Sequence, residues 1–293
     1  MKILITGATG FIGKPLVEKL LARGHEITRL SRSHGTPGLH WDPIKREMHS
    51  NRLEGYDAVI HLSGESIAGR FTAAKKKRII ESRREGTQFL VETLLKLKNP
   101  PKHFISSSAI GYYGNRSDEE LTESSGAGND FLAEVCKAWE QATEPLKAKG
   151  IRVANIRTGI VLDPKGGALE KLLLPFKLGA GGPIGSGNQW WSWIMLEDLL
   201  NIYIYALENE SISGPINAAA PNATRNKDFV KALGKAMHRP AFMPLPSFAV
   251  KLLLGEMGDA LLLSSQHVIP KKLTDAGFNF KYPNLEEGLE SIL

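Results

Sequence analysis

The chain has 293 residues, a formal net charge of +6 and one cysteine, Cys136. A single cysteine excludes an intrachain disulfide and favours a reducing compartment. The chain is 42% hydrophobic and 23% charged, as ordinary globular proteins are. No apolar run reaches the roughly 18 residues of a membrane span, and a core strand pattern begins at residue 2, where a targeting peptide would stand. We therefore expect a cytoplasmic protein with no membrane partner.

The first turn of the chain has the pattern of a dinucleotide site. Residues 2–6 form an apolar, β-branched run typical of a buried parallel strand. Gly7, Gly10 and Gly13 follow, and an amphipathic helix pattern covers residues 15–23. Glycines allow a close backbone approach, and a helix N-terminus offers free N–H groups to a pyrophosphate. The alternative is a glycine turn that only connects two elements.

The second strand pattern, residues 26–30, bears on the choice of cofactor. An NAD site usually has an acidic residue near the end of this strand, for the ribose 2′-hydroxyl. No acid occurs between Glu26 and Asp42, whereas Arg32 can pair with a 2′-phosphate and Ser31 and Ser33 can donate hydrogen bonds to it. We therefore expect NADP(H) rather than NAD(H). A surface loop with an incidental arginine is the alternative.

Strand and helix patterns then alternate along the chain. Strands are predicted at residues 57–62, 103–106 and 151–157, and helices at residues 72–98 and 130–149. This alternation predicts an α/β fold with a doubly wound, Rossmann-like parallel sheet. After residue 162 the chain becomes glycine-rich and aromatic. We expect an NADP-binding domain at 1–162 and a smaller C-terminal α/β substrate lobe at 163–293, with later segments returning to the sheet.

One dense basic run, residues 75–78 together with Arg83 and Arg84, lies within the longest helix pattern. No aromatic residues alternate with these charges, as a stacking platform for bases would require. We interpret the run as a solvated helix face and expect no nucleic-acid partner.

Several motifs occur in one order along the chain: GATGFIG at 7–13, HLSGE at 61–65, SSSAIGYYG at 106–114, FLAEVCKAWE at 131–140, RTGIVL at 157–162 and GSGNQWWSWIMLEDL at 185–199. Together they resemble the extended short-chain dehydrogenase/reductase superfamily of NAD-dependent epimerases and dehydratases. More narrowly, they resemble the YfcH-type epimerase family proteins, an atypical branch. The resemblance runs nearly end to end.

The resemblance implies an NADP(H) site that agrees with the glycine turn and with Arg32. The cofactor-binding residues that the resemblance implies are Gly7, Thr9, Gly10, Phe11, Ile12, Gly13, Ser31, Arg32, Leu62, Ser63, Gly64, Glu65, Arg83, Ser107 and Arg157. For Arg83, the alternative to a cofactor contact is an exposed arginine on a helix.

The catalytic signature of the superfamily is incomplete in this sequence. Typical members use a tyrosine four residues before a lysine, together with a serine that polarises the substrate oxygen. Lys137 is preceded at that spacing by Ala133, and a register shifted by one residue gives Cys136 and Leu132. Neither register supplies a tyrosine.

The remaining candidates for catalysis are Ser108 or its neighbour Ser107, Lys137, and Tyr113 as a substitute acid from the GYYG turn. We interpret Cys136 as an inert core thiol. No cluster of histidine, cysteine and acidic residues has metal-ligand spacing, so we expect no metal.

In the later lobe, Gln189 and Trp193 are candidates to line a substrate cleft, with packing as the alternative for Trp193. An apolar group is expected to be core or a dimer contact: Phe242, Leu245, Phe248, Leu252 and Leu253. Because the superfamily often dimerises, the resemblance also implies a homodimer. The leading interpretation is an NADP(H)-binding oxidoreductase or epimerase-like enzyme that acts on an unknown small molecule. A non-catalytic NADP(H) sensor is the alternative.

Overall fold

The structure is a computed structural model that describes residues 1–32, 38–48 and 52–293. Ser33, one of the serines expected to face a 2′-phosphate, lies outside the described residues.

The described strands and helices alternate through the first half of the chain, as the sequence predicts. The strands are β1 (Lys2–Thr6), β2 (Glu26–Ser31), β3 (Leu39–Asp42), β4 (Glu47–Met48), β5 (Ala58–His61), β6 (His103–Ala109), β7 (Glu120–Leu121), β8 (Arg152–Thr158), β9 (Ile160–Asp163), β10 (Trp190–Trp191), β11 (Trp193–Met195), β12 (Gly214–Ala218), β13 (Thr224–Arg225) and β14 (His267–Val268). The helices are α1 (Gly13–Ala22), α2 (Ala73–Leu94), α3 (Phe131–Gln141), α4 (Glu144–Lys147), α5 (Gly167–Lys177), α6 (Leu196–Glu208), α7 (Asn226–Ala236), α8 (Ser247–Leu254), α9 (Glu256–Gly258), α10 (Lys271–Asp275) and α11 (Leu285–Ile292). A 3-10 turn covers Ile110–Tyr113, and a π-helical turn covers Asp259–Leu263.

The central sheet confirms the doubly wound α/β fold. Within the described residues it has eight strands in the order β12-β8-β6-β5-β1-β2-β3-β4. Strands that are adjacent in this order pair in parallel, except that β3 and β4 are antiparallel. The chain moves from β1 outward to β2 on one side and later returns to β5 on the other side. This reversal creates the crevice at which open α/β sheets bind their ligands.

Alternate residues of the strands face two layers of helices. Ile3 and Ile5 pack in one cluster with apolar residues of α1 and α6. Leu4 packs on the opposite face with apolar residues of α2 and α4. Both faces of the sheet are therefore covered, which explains why its strands are apolar runs rather than alternating patterns. No helix in the described part of the chain is long and apolar enough to cross a membrane.

The later lobe has its own core but also completes the sheet. Trp191, Trp193 and Phe229 belong to a cluster between α5, α7 and α11. Strand β12, from the same part of the chain, pairs with β8 at the edge of the main sheet. The lobe and the sheet therefore share one stretch of chain.

One local expectation is corrected by the structure. The helix predicted over residues 130–149 is divided into α3 and α4, and the Thr143 hydroxyl donates to the Glu140 carbonyl at the junction, 2.7 Å away. The segment near residue 280, before α11, is irregular. Its backbone is held by the Asp198 carboxylate, which accepts the N–H groups of Lys281 and Tyr282 at 2.8 and 2.9 Å.

The apolar group expected to be core is mostly at the surface. Phe242, Phe248, Leu252 and Leu253 are 65–75% exposed, while Leu245 is half-buried. The core interpretation is therefore wrong for the first four residues, because α8 inserts Val250 into the lobe and presents its other apolar side chains outward.

Candidate cofactor and catalytic site

The strand register aligns most of the candidate residues along one edge of the sheet. Thr6 is level with Leu30 of β2 and with His61 of β5. His61 is level with Ser106 of β6, and Ser108 is level with Arg157 of β8. The residues that follow these positions lie beside one another at the carboxyl ends of the strands, as a ligand that crosses the sheet requires.

The glycine turn is packed so closely that side chains do not fit. Gly7 has a φ of +69°, and a Cβ added there would lie 3.0 Å from the Leu62 carbonyl carbon. A Cβ on Gly13 would lie 2.1 Å from the Gly7 carbonyl oxygen. At Gly10 the nearest atom is that same oxygen, 3.3 Å away, so the outer side of the turn is open. The turn is thus closely packed on its inner side and accessible on its outer side, as the binding of a dinucleotide phosphate requires.

The helix that follows the turn begins with its N–H groups uncapped by a side chain. Ile12 stands at the N-cap without a side-chain hydrogen bond, and Thr9 and Gly10 are exposed. These groups can therefore bind an anion. Phe11 has a different role, because its ring packs on Gly166 and Gly167. Cβ atoms added to these two glycines would lie 2.4 and 3.1 Å from carbon atoms of the ring. Phe11 thus packs the turn against the start of α5.

The end of β2 lies on one side of the glycine turn. Ser31 is half-buried as the last residue of the strand, and Arg32 is exposed directly after it. Because Thr6 is level with Leu30, Arg32 lies beside the turn rather than at the far end of the sheet. This is where a charge for a 2′-phosphate is needed.

The end of β5 lies on the other side of the turn and is held by buried polar groups. The Thr6 hydroxyl oxygen accepts the N–H groups of Leu62 and Ser63 at 3.1 and 3.2 Å. It also contacts His61 Nδ1 at 2.8 Å, and His61 Nε2 lies 2.9 Å from the Thr87 hydroxyl. Burial, with the nearby Arg83 charge, lowers the pKa of His61 to about 3. His61 is thus a neutral structural residue, as its buried-strand pattern indicates.

Arg83 supports the segment that follows β5. Its Nη1 donates to the Glu65 and Ile79 carbonyls at 2.9 and 3.2 Å, and the guanidinium carbon lies 4.8 Å from the centre of the Trp139 ring. A Cβ on Gly64 would lie 3.1 Å from that carbon. Burial lowers the pKa of Arg83, but arginine stays charged in proteins. The side chain is half-buried rather than exposed, so it adds a fixed positive charge below this segment.

The neighbouring Glu65 is bound on the outer side of the segment. Its carboxylate accepts Lys75 Nζ at 2.7 Å, and this hydrogen bond lowers the pKa of Glu65. Other cations of the basic run also form ion pairs: Lys76 with Glu256, Lys77 with Glu81, and Arg84 with Glu85. Much of the positive charge on α2 is therefore engaged within the chain.

The two serines at the end of β6 point to opposite layers. Ser107 is half-buried, and its hydroxyl lies 2.7 Å from that of Tyr203 on α6. Ser108 is 4% exposed and donates to Glu140 Oε1 at 2.7 Å. While Ser108 donates to a carboxylate, its lone pairs can accept a hydrogen bond from a ligand hydroxyl.

Glu140 belongs to a buried ion pair with Arg157. Arg157 Nε and Nη2 donate to the two Glu140 carboxylate oxygens, each at 2.8 Å, and Arg157 is 3% exposed. Burial alone would lower the pKa of Arg157, but the hydrogen bond and charge of Glu140 raise it. The resemblance implies that Arg157 binds cofactor. The structure instead directs its guanidinium into the protein, because a buried charge needs its partner.

Tyr113 is the next member of the same network. Its hydroxyl donates to Asn217 Oδ1 at 2.6 Å and accepts Arg157 Nη1 at 3.0 Å. The side chain is fully buried, and burial raises the pKa of Tyr113 to about 12. Tyr112 is half-buried, and its ring centre lies 3.4 Å from the Arg157 guanidinium carbon. The catalytic role suggested for Tyr113 thus has no geometric support.

Helix α3 presents no phenol at the expected position. Ala133 is fully buried, four residues before the half-buried Lys137. In the shifted register, Cys136 is 4% exposed, and burial raises the pKa of its thiol to about 12, as an inert core thiol requires.

The two candidate substrate residues are engaged inside the lobe. Gln189 is 7% exposed, and its side-chain nitrogen donates to the Ile184 and Leu262 carbonyls, each at 2.9 Å. Trp193 is fully buried and donates to the Asn222 carbonyl at 3.1 Å. The structure therefore places both side chains in packing roles, the alternative stated for Trp193, although the Trp193 backbone is level with Ile160, just beyond the carboxyl end of β8.

Glu140 is the site residue that sequence reasoning missed. The signal was present, because Arg157 stands in a buried-strand pattern and a buried arginine requires an acid. No group of three or more potential ligands in the described part of the chain is placed to hold a metal ion.

Comparisons with known proteins agree with this geometry. The NAD dependent epimerase/dehydratase family matches residues 3–219, and a domain of unknown function, DUF1731, matches residues 245–292. The chain is 38% identical over 298 residues to the epimerase family protein SDR39U1 of Bos taurus, with 100% of each covered. It is 38% identical over 300 residues to the epimerase family protein YfhF of Bacillus subtilis strain 168, with 100% of this chain and 98% of that protein covered.

Among solved structures, human epimerase family protein SDR39U1, isoform 2, crystallised with NADPH, is 37% identical. The comparison covers 100% of this chain and 99% of that one, with a TM-score of 0.92. The fold, the glycine turn at the strand reversal and these matches give one conclusion: the chain belongs to the NAD-dependent epimerase/dehydratase family.

Proposed function

We propose that this protein binds NADP(H) and acts as an oxidoreductase of the extended short-chain dehydrogenase type. The observation that carries the proposal is the glycine turn, which is packed tightly against Leu62 and open on its outer side. The likeness to a human protein crystallised with NADPH supports it. The cytoplasmic location suggested by the single cysteine is part of the same proposal.

The choice of NADP(H) over NAD(H) rests on charge. Arg32 is exposed at the end of β2, beside the turn, and no acidic residue occurs in the sequence from residue 27 to residue 41. A guanidinium can bind a phosphate through two hydrogen bonds, whereas a carboxylate there would repel it. Arg83 adds a second positive charge beneath residues 63–65.

The nicotinamide cofactor, when bound, supplies or accepts a hydride. Ser108 then has the geometry to accept a hydrogen bond from a substrate hydroxyl, because its own proton is donated to Glu140. Tyr113 is held by Asn217 and Arg157 and does not take the role of proton donor. In this proposal the proton passes through a serine hydroxyl or a water molecule.

The incomplete signature favours a second candidate function. Ala133 stands where a catalytic tyrosine is expected, and the nearby Tyr113 is fully buried. A protein that binds NADP(H) without hydride transfer would sense the ratio of its two forms. The two candidates share the cofactor site and differ only in whether hydride is transferred.

The first prediction concerns Arg32. Arg32→Ala should weaken NADPH binding about 10- to 100-fold, because one charge-assisted contact to the 2′-phosphate is lost. NADH binding should stay unchanged. Isothermal titration of both cofactors measures this, with Arg29→Ala, three residues earlier in β2, as the matched control. Equal losses for NADPH and NADH, or none for either, would remove Arg32 from its assigned role.

The second prediction tests hydride transfer itself. We expect NADPH deuterated at C4 to transfer label from one face only, to a carbonyl substrate in a screen of aldehydes, ketones and sugar nucleotides. In the reverse reaction, oxidation of the product alcohol by NADP⁺, Ser108→Ala should lower the rate about 100-fold or more without changing cofactor affinity, because the reacting hydroxyl loses its hydrogen-bond acceptor. Ser106→Ala, in the same strand, is the control, because the Ser106 hydroxyl donates to the Ser107 carbonyl. NADPH binding without any label transfer would support the sensor instead.

The third prediction concerns Tyr113. Tyr113→Phe should lower the free energy of unfolding at pH 7 by about 1–3 kcal/mol, because Asn217 and Arg157 lose a buried partner. An unfolded tyrosine ionises near pH 10, whereas the buried hydroxyl has a pKa of about 12. The wild type should therefore lose stability as the pH rises from about 10 towards 12, and the variant should lose less.

Urea unfolding at pH 7, 10 and 11 measures both effects, with Tyr112→Phe as the control. A Tyr113→Phe variant of normal stability that binds NADPH but no longer transfers hydride would show that the hydroxyl is catalytic after all.

A further inference from the structure

One surface of the later lobe is apolar and uncovered in the described structure. We define the apolar patch as seven side chains from α5, the residue that follows it, α8 and the segment before α8, each 51–75% exposed: Leu174, Leu178, Phe242, Met243, Phe248, Leu252 and Leu253. At up to roughly 200 Å² for a large apolar side chain, they expose on the order of several hundred Å². A monomer rarely leaves so large an apolar area in contact with water without a function.

Backbone hydrogen bonds connect the parts of the patch. The Met243 N–H donates to the Gly181 carbonyl at 3.0 Å, and the Leu245 N–H donates to the Pro183 carbonyl at 2.8 Å. The segment before α8 therefore runs along the chain that leaves α5. α8 begins at Ser247, directly after this pairing. The segments that carry the seven exposed side chains therefore adjoin one another.

Positive charges outnumber negative ones around the patch, where Glu170 precedes Leu174 by one helical turn and Glu256 and Asp259 follow α8. Residues 171–180 and 239–254 contain four cations and no aspartate or glutamate: Lys171, Lys177, Arg239 and Lys251, all exposed. Asp259, from the π-helical turn, approaches Lys251 at 3.5 Å. Protein surfaces that lie in the headgroup region of a bilayer typically expose Phe and Leu side chains bordered by lysine and arginine.

We propose that the apolar patch docks on the surface of a membrane that contains anionic phospholipids. Phe248 and Leu252 enter the boundary between headgroups and acyl chains, while Lys177 and Lys251 contact the phosphates. The expectation of no membrane partner rested on the absence of a spanning run, which does not bear on a surface contact.

The position of Lys251 favours a membrane over a second copy of the chain. It lies on α8 between Phe248 and Leu252 and is exposed. In a dimer through this face, the ammonium would be enclosed in an apolar interface that also carries the partner's cations, at a cost in desolvation and repulsion. At a bilayer, the lysine stem lies along apolar surface and its charge reaches the headgroups.

The patch adjoins the segment that follows the cofactor strand. Arg70 Nη2 donates to the Leu252 carbonyl at 3.3 Å, and the Gly69 N–H contacts Met257 Sδ at 3.2 Å. Docking through α8 would therefore bring this side of the candidate site near the lipid. The proposal does not depend on hydride transfer, because the patch residues lie outside the glycine turn.

Vesicle flotation of the full chain tests the proposal. We expect binding to vesicles of phosphatidylcholine mixed with phosphatidylglycerol, weakened by salt, and little binding to phosphatidylcholine alone. The double variant Phe248→Ser/Leu252→Ser should lower the partition coefficient at least about 30-fold. The double variant Lys177→Gln/Lys251→Gln should lower it about fivefold per charge. Leu21→Ser/Ile44→Ser removes exposed apolar side chains elsewhere and should leave binding unchanged.

A second measurement does not depend on the serine variant. Phe248→Trp should give tryptophan fluorescence that brominated anionic vesicles quench beyond the quenching of the wild type. Absence of flotation with anionic vesicles, or unchanged binding of the Phe248→Ser/Leu252→Ser variant, would overturn the proposal. A dimer in light scattering that the same variant converts to a monomer, without vesicle binding, would show that a second copy covers the patch instead.

Discussion

The contact between the glycine turn and the end of β5 is the constraint on which the rest of the site depends. Gly13 admits no Cβ because the Gly7 carbonyl oxygen would lie 2.1 Å away, and Gly7 itself is packed against Leu62. The Thr6 hydroxyl fixes the other side of this contact by accepting two backbone N–H groups after β5. Because β1 and β5 are held together here, the uncapped start of α1 faces outward at the strand reversal. Arg32 and Arg83 then supply positive charge on either side.

A buried polar network occupies the space beside this edge. Glu140 and Arg157 form a two-point ion pair, to which Ser108 and Tyr113 each add a hydrogen bond. Loss of one contact in such a network would leave a buried polar or charged group without a partner, which costs free energy. The network therefore holds its members in one arrangement. It explains why Tyr113 is unsuited to donate a proton. Ser108 donates to Glu140 and is the member that we propose accepts from a ligand hydroxyl, so the proposed hydride chemistry depends on Ser108 more than on a phenol.

The sequence predicts the sheet, the glycine turn and the order of the Rossmann elements, because these depend on local periodicity and on backbone positions that only glycine fits. It does not predict which way a side chain faces once two interpretations share one pattern. Gln189 and Trp193 follow a glycine-rich loop, as cleft residues do, but bond to buried backbone carbonyls. Phe248 and Leu252 have helical spacing, which shows that they share a face but not whether another element covers it.

Hydrogen–deuterium exchange of the wild type with and without NADPH shows whether the cofactor lies across the turn between β1 and β5. We expect slower exchange of the amides in residues 7–14 and 62–65, with no change in α7 and α11 of the later lobe. NADPH binding that protects another part of the chain and leaves residues 7–14 unchanged would contradict this placement.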